Sequence, residues 1–313
     1  MTKPIITVIT AVYNDESFIR KSVKSILNQT FTNFEYIIVD DGSTDNTPTI
    51  LRELERTDRR ITILKQRNEG AAAARNLAIN MAQGEYIAIQ DSDDMSSPDR
   101  FEKQLTYIMH SSDRTVCCTG YNLIDDNDTV FATHNKIYTN INQNVLNGNT
   151  SVCHPTLLIP YNLLAKTGGY NPFYSKTEDY DLILRLLENN AHFEKLNECL
   201  YDYRIRQNSE SSLNSDVYIK RVYENHLNRL SNRPENYTPI VSKVKHDKNY
   251  VVKRQGREIF YSENYTEFRK LYFKNIFKLP FTTFFPFLIY SLFPLTVKGF
   301  IKDFYNNRRL KNI

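Results

Sequence analysis

The sequence predicts an α/β fold: a mixed, mostly parallel sheet flanked by helices, followed by a C-terminal helical extension. Three observations carry this reading. In the first half of the chain, short apolar runs alternate with segments whose apolar residues recur at helical spacing. The strand-like runs stop at turn signals rich in Asp, Gly and Ser. Strand–helix alternation of this kind builds parallel neighbours, with helices covering both faces of the sheet.

The elements follow in order. Ile5 to Ala11 (IITVITA) is a β-branched strand, and Phe18 to Leu27 is a helix with Ile19, Val23, Ile26 and Leu27 on one stripe. Tyr36 to Val39 is the second strand, stopped by Asp40-Asp41-Gly42-Ser43. Thr47 as N-cap with Pro48 at the first helical position opens a helix through about Arg56. Ile61 to Leu64 and Ala71 to Ala82 are the third strand and helix. Tyr86 to Gln90 is the fourth strand, ending at Asp91-Ser92-Asp93-Asp94, and Ser97-Pro98 starts another helix by the same cap logic. From about Val116 the pattern is mixed, with strand-like VCCTGY and TLLIP between Asn-rich loops and a helix over Glu178 to Asn189. The character changes again after about residue 212, where Val217 to Leu230 forms an amphipathic helix. No internal repeat is visible.

Composition narrows the class. Of the 313 residues 41% are hydrophobic and 24% charged, which suits a globular protein and excludes a wholly disordered one. The net charge of +4 comes from scattered basic residues without a recognition motif, so no nucleic-acid partner is expected. The 21 Tyr and 18 Phe, with no Trp, favour surfaces that stack on flat or sugar-like groups, although core packing uses most of them. Cys117, Cys118, Cys153 and Cys199 show neither CxxC nor zinc spacing. Cys117 and Cys118 point to opposite faces of one strand, and a reducing, cytosolic environment is the simplest reading. Met1-Thr2-Lys3-Pro4 leads straight into a strand, so no signal peptide is expected.

The last stretch has its own signature. Leu279 to Val297 (LPFTTFFPFLIYSLFPLTV) carries no charge but is broken by Pro280, Pro286 and Pro294, which disfavour one straight spanning helix. Lys274 and Lys278 precede it, and Lys298, Lys302, Arg308, Arg309 and Lys311 follow. Apolar residues with cationic flanks suit insertion at an anionic cytosolic bilayer surface, which makes residues 279–313 the expected membrane-associating part. The alternative is a buried helical hairpin.

In parallel sheets ligands bind beyond the carboxyl ends of the strands, and carboxylates recur there: Asp40 and Asp41 after the second strand, Asp91 to Asp94 after the fourth. A single Asp pair at a strand end is usually a solvated turn. Asp91-Ser92-Asp93 is stronger, because alternate spacing lets both carboxylates reach one point. Oxygen ligands suit Mg2+ or Mn2+, which bridge to phosphates. Neither a GxxxxGKS/T nor a GxGxxG loop is present, so a metal would have to neutralise any diphosphate.

The runs TVITAVYND, IIVDDGSTDNT, EGAAAARNLAI and GEYIAIQDSDD, followed by GGYN, TEDYDLILRL and YDYRIRQNSESS, resemble the family 2 glycosyltransferases of the GT-A fold, in the same order. The resemblance covers roughly the first two thirds of the chain. It implies a catalytic domain over residues 1–212, with a nucleotide-binding half 1–115 and an acceptor half 116–212, and a helical extension 213–313. By that resemblance Ala11, Tyr13 and Asp41 line the nucleobase pocket, with Asp41 accepting from the base. Asn68 and Arg75 help hold the nucleotide, Asp91 sits near the ribose, and Asp93, with Asp91, binds Mn2+ or Mg2+ against the diphosphate. Asp179 is the general base, since a sugar hydroxyl needs a carboxylate to take its proton. The implied reaction is inverting transfer from a nucleotide sugar, UDP-linked by the look of the base pocket. The acceptor is a saccharide or lipid-linked hydroxyl in surface polysaccharide assembly, handled on the cytoplasmic side.

Plainer readings stand beside these. Arg75 taken alone is a helix-surface ion pair. Ser175 and Glu178 match a capping box. His154-Pro155 is either near the acceptor or an exposed turn, and Arg204 has no settled role. Arg206 stands where many relatives have the His of a YRxH run, and an Arg can touch phosphate but cannot titrate or bind metal as His does. A nucleotidyltransferase would show a basic, Gly-rich loop near the N-terminus, where this chain has TAVYND. A non-catalytic carbohydrate-binding relative would be expected to have lost Asp91, Asp93 or Asp179, and all three are present.

Overall fold

The computed structural model describes residues 3–136, 140–146, 152–174, 176–206 and 216–239, with five isolated residues between 252 and 271. The apolar segment 279–297, Ser175 and nearly all of the chain beyond residue 239 lie outside them. Two compact units result: Met1–Arg204 with Asn214–Val244, and Ile205–Leu213 with Lys245–Ile313. Every element described below belongs to the first unit.

The strands are β1 (Ile6–Val12), β2 (Phe34–Asp40), β3 (Ile61–Lys65), β4 (Tyr86–Ile89), β5 (Met95–Ser96), β6 (Thr115–Ile124), β7 (Val130–His134), β8 (Leu158–Pro160) and β9 (His192–Arg204). They form one sheet in the order β3-β2-β1-β4-β8-β6-β9-β5, with β7 paired to β6. β3, β2, β1 and β4 are mutually parallel. β8 enters antiparallel to both β4 and β6, and β6 and β9 run parallel. The first four strands match the alternation read from the sequence. Of the later ones, β5, β7 and β8 run antiparallel to their neighbours, which a hydrophobic pattern alone does not predict.

Helices α1 (Ile19–Leu27), α2 (Thr47–Thr57) and α4 (Arg100–Ile108) cover one face; α3 (Ala71–Met81), α6 (Tyr161–Lys166) and α7 (Glu178–Glu188) cover the other, with α5 (Ile141–Leu146) on that same side. Strand alternation divides the core. Ile6, Val8 and Val12 of β1 pack with α1, α2 and α4, whereas Ile9 packs with α3 and α7. This follows from the period of two along a strand. Cys117 and Cys118 split the same way, one into each layer. α8 (Asp216–Leu230) packs against α7 through a hydrogen bond between His226 and Glu188 and an ion pair of Arg229 with Glu188.

Topology singles out one crevice. From β1 the chain builds outward to β2 and β3 on one side and returns to place β4 on the other. The connections therefore cross opposite faces and leave a gap where β1 and β4 end, which is where ligands bind in open α/β sheets. β1 runs three residues past its last pairing with β4, Ile9 opposite Ile89. Asp91 emerges at that gap.

Candidate active site

The loops after β1 and β2 and the loop before α3 are tied together. Asn14, in the left-handed region at φ 50°, accepts from the amides of Thr44 and Asp45 at 2.7 and 3.3 Å. Its own amide donates to Ser43 Oγ at 3.0 Å. Asp41 is buried, and its carboxylate accepts from Gln66 Nε2, Glu69 N and Gly70 N at 2.8, 2.9 and 2.9 Å. Gly42 (φ 77°) lets these loops touch, since a Cβ there would lie 3.0 Å from Asn68 N. Ala11 lies beside Val39 in the β1–β2 register, the Tyr13 ring is about half exposed, and Asn68 is exposed. Thr47 does not cap α2. Its hydroxyl instead accepts from Asp15 N at 2.9 Å, and Asp45 takes the Thr47 amide at 2.9 Å. A loop-to-loop bond has replaced the local cap.

The Asp91–Asp94 loop is fixed from beneath. Buried Gln90 donates to Ser22 Oγ and to the Asp94 carbonyl, both at 3.0 Å, and Tyr201 OH accepts from Asp91 N at 3.1 Å. Ser92 donates to Asp15 Oδ2 at 2.6 Å. Arg204, whose side chain is fully buried, donates Nε to the Asp93 carbonyl at 2.8 Å and Nη2 to Asp128 Oδ1 at 2.6 Å. It also bonds the Asp125 carbonyl and lies 4.5 Å from the Phe18 ring centre. These contacts make Arg204 a clamp on the Asp93 main chain. Its backbone amide adds a 2.7 Å bond to Asp94 Oδ1. Burial first, then the charges of Asp93 and Asp91, push the Asp94 carboxyl well above the usual range, and its Oδ2 is buried without a hydrogen-bond partner.

Across the crevice lies Arg75, 11% exposed, which donates to Asp91 Oδ1 at 2.9 Å and to Glu178 Oε1 at 3.0 Å. Burial disfavours its charge, but the charges facing it, Asp91 first, hold its pKa above the ordinary Arg value. It is therefore neither a solvated ion pair nor an isolated cation. Its guanidinium lies 5.4 Å from the Tyr170 ring centre, and Tyr170 OH meets His154 Nε2 at 2.7 Å. His154 is not an exposed turn residue. It is buried in a 3₁₀ turn, and burial, helped by the Arg75 charge, drops its pKa to about 3. Next to Arg75, Asn76 grips the Tyr170 backbone from both sides, accepting from its N–H and donating to its C=O, each at 2.8 Å. Gly169 sits at φ 70°, in the left-handed region that favours glycine, and a Cβ there would lie 2.5 Å from Asn76 Oδ1.

Glu178 is the first residue of α7 and its carboxylate faces Arg75; Thr177 occupies the N-cap position without a side-chain capping bond, and the expected capping box rests on Ser175, which lies outside the described residues. Beside it, Asp179 is partly buried and accepts from Tyr180 N at 2.7 Å. Burial, then the neighbouring Glu178 charge, push the Asp179 carboxyl up to about 6. Arg75 thus joins the strand end bearing Asp91 to the helix turn bearing Asp179. Asn76 and Tyr170 are the parts that residue-type reasoning missed, and for His154 and Glu178, both singled out there, it did not find the partners. Their signal was the joint presence of the runs ARN, GGY and ED, whose side chains interlock.

Among the described residues no group of three His, Cys, Asp or Glu side chains could hold a metal unaided. The donor chemistry still fits a hard divalent cation that takes one or two carboxylates and completes its shell with phosphate and water. Three carboxylates crowd into four residues, and the Asp94 Oδ2 atom is left orphaned. Asp93, partly exposed on a clamped main chain, and Asp91 are the carboxylates such an ion would take.

The family model described as glycosyl transferase family 2 matches residues 7–159. The chain is 37% identical over 217 residues to the putative teichuronic acid biosynthesis glycosyltransferase TuaG of Bacillus subtilis, covering 67% of this chain and 82% of that protein. It is 34% identical over 213 residues to the O-antigen biosynthesis glycosyltransferase WbnJ of Escherichia coli, covering 66% and 81%. In fold it resembles S. aureus TarS 1–349, crystallised in complex with UDP-GlcNAc, at TM-score 0.57 and 19% identity over 92% of this chain and 79% of that one.

Proposed function

The chain belongs to glycosyl transferase family 2, and on that premise we propose that it moves a sugar from a UDP-sugar to a hydroxyl of a saccharide or lipid-linked acceptor, inverting the anomeric centre. The observation that carries the reading is the shared cation: Arg75 meets Asp91 at the end of β4 and Glu178 beside Asp179 at the start of α7. A donor seated at the strand end and a base on the helix turn would then face one crevice. TuaG and WbnJ, named for teichuronic acid and O-antigen biosynthesis, support a role in surface polysaccharide assembly. The UDP and UDP-GlcNAc complexes of TarS support the choice of nucleotide.

Tyr13, Ala11, Asp41 and Asn68 surround the ends of β1 and β2 and receive the base. Asp91 takes the ribose side. Asp93 would hold Mn2+ or Mg2+, which when bound offsets the charge of the departing diphosphate. Asp179 accepts the proton of the acceptor hydroxyl as its oxygen attacks the anomeric carbon. The bond from that carbon to the diphosphate breaks on the opposite face, releasing UDP and inverting configuration. A carboxyl near pKa 6 is suited to this, being ionised at neutral pH yet more basic than an exposed Asp.

We further propose that the chain works on the cytoplasmic side, with residues 279–313 resting peripherally on the inner face of the cell membrane, because an apolar stretch with cationic flanks binds anionic lipid. Among the described residues no helix is long and apolar enough to cross a membrane. A thermal-shift screen of nucleotide sugars with Mn2+ tests the donor. A UDP-sugar at about 100 times its Kd stabilises by about 2.7 kcal/mol and raises Tm. Absence of any shift, together with no UDP release in the presence of acceptor saccharides, counts against the reading.

A further inference from the structure

The transfer reading uses Asp91 and Asp179 and leaves open why a buried Glu precedes the base. Glu178 is 9% exposed, and its carboxylate lies 3.0 Å from Arg75 Nη1. Nη2 of the same guanidinium lies 2.9 Å from Asp91. The cation is itself held in place. Tyr170 lies against it, and that residue is fixed at its hydroxyl by His154 and at its backbone by Asn76. Further along α7, Asp181 pairs with Arg185, and Glu188 takes Arg229 and His226. From Asp181 onward the helix is therefore anchored to α8 and to its own side chains, while its first residue, Glu178, is tied to the strand edge.

Resting on the reading of Asp179 as the base, we propose that Glu178 is a positioning residue: by sharing Arg75 with Asp91 it sets the first turn of α7, and so the Asp179 carboxylate, against the strand end that carries the donor. It touches neither substrate in this scheme. Arg75 acts as the common joint, so donor side and acceptor side are held by one side chain.

Glu178→Gln tests this. The amide is isosteric and still accepts from Arg75, but the charge is gone. Loss of geometry at a reacting group costs rate out of proportion to the displacement, so kcat should fall on the order of 10- to 100-fold. Donor KM should hold, because the Asp91–Arg75 pair remains. The charged groups acting on Asp179 are Glu178 on its own helix, Arg75 of α3 and Asp91 beyond β4. Removing the first lets the base ionise more readily, so the acid limb of kcat moves to lower pH. Glu178→Asp should return the limb to the wild-type position while kcat stays reduced, since charge is restored but reach is not. In an Arg75→Lys background, where a single ammonium cannot span both carboxylates, Glu178→Gln should add little, because the two act through one contact.

Melting curves accompany each variant, and if the Gln form does not fold, the Asp form carries the kinetic test. The proposal is overturned if Glu178→Gln turns over at the wild-type rate, if its loss adds in full to that of Arg75→Lys, or if the limb does not move. Failure of the base reading shows elsewhere: Asp179→Asn would then keep its turnover, whatever Glu178 does.

Discussion

Asn76→Ala removes a side chain that works as a small piece of β-ladder. It loses the 2.8 Å bond to the Tyr170 carbonyl and the 2.8 Å bond from the Tyr170 amide. Each bond is worth about 1 kcal/mol net, and leaving buried backbone groups unpaired adds to that, for a total of about 2–4 kcal/mol. For a unit of this size 1 kcal/mol moves Tm by about 2–4 °C, so a drop of about 4–16 °C is expected. Activity should fall too, because Tyr170 lies against Arg75. The chain has no Trp, so far-UV circular dichroism is the appropriate thermal probe. Asn80→Ala, on the exposed side of the same helix, is the control and should leave Tm unchanged or slightly raised, because Ala is the better helix former. If Asn76→Ala melted with the wild type, the GGY segment would be held by something other than Asn76, and the interlock of these sequence blocks would be refuted.

Three further outcomes are expected. Asp93→Asn should abolish metal-dependent turnover and leave the melting curve intact, and full wild-type activity in excess chelator would remove the metal role. The kcat profile should fall on the acid side with an apparent pKa of about 6, since burial and Glu178 raise Asp179 and only its ionised form accepts a proton; a limb near pH 4 would point to a solvated carboxylate. Deleting residues from Leu279 onward should release the protein from anionic vesicles, and pelleting of the truncated form would rule out the membrane assignment.

Much of the fold was legible because the first half of the chain obeys local rules. β1, β2, β3 and β4 fall within two residues of the apolar runs, and α1, α2 and α3 within one or two of the periodic stripes. β5, of two residues, and β7, whose five residues bury only Ala132, leave too weak a pattern to read. The 13-residue β9 was hidden because its partners β6 and β5 are distant in sequence. At the site, residue type and position at strand ends picked out Asp41, Asp91 and Asp93, since solvent-facing turns after apolar strands are easily seen. What could not be seen was partnership. Nothing local tells that Arg75 reaches Glu178 across 103 positions, or that the polar side chain of Asn76 is spent on the Tyr170 backbone. His154 misled for the same reason: a His-Pro pair looks like an exposed turn until Tyr170 covers it. Arg204, too, has no settled role in the sequence, yet it is sealed under the Asp93 carbonyl.

The most direct test of the catalytic assignment is single-turnover transfer by Asp179→Asn with the UDP-sugar already bound. Donor affinity measured by calorimetry should match the wild type, while the transfer rate drops on the order of 1,000-fold through loss of the base. A transfer rate within a few-fold of wild type, at equal donor occupancy, would contradict it.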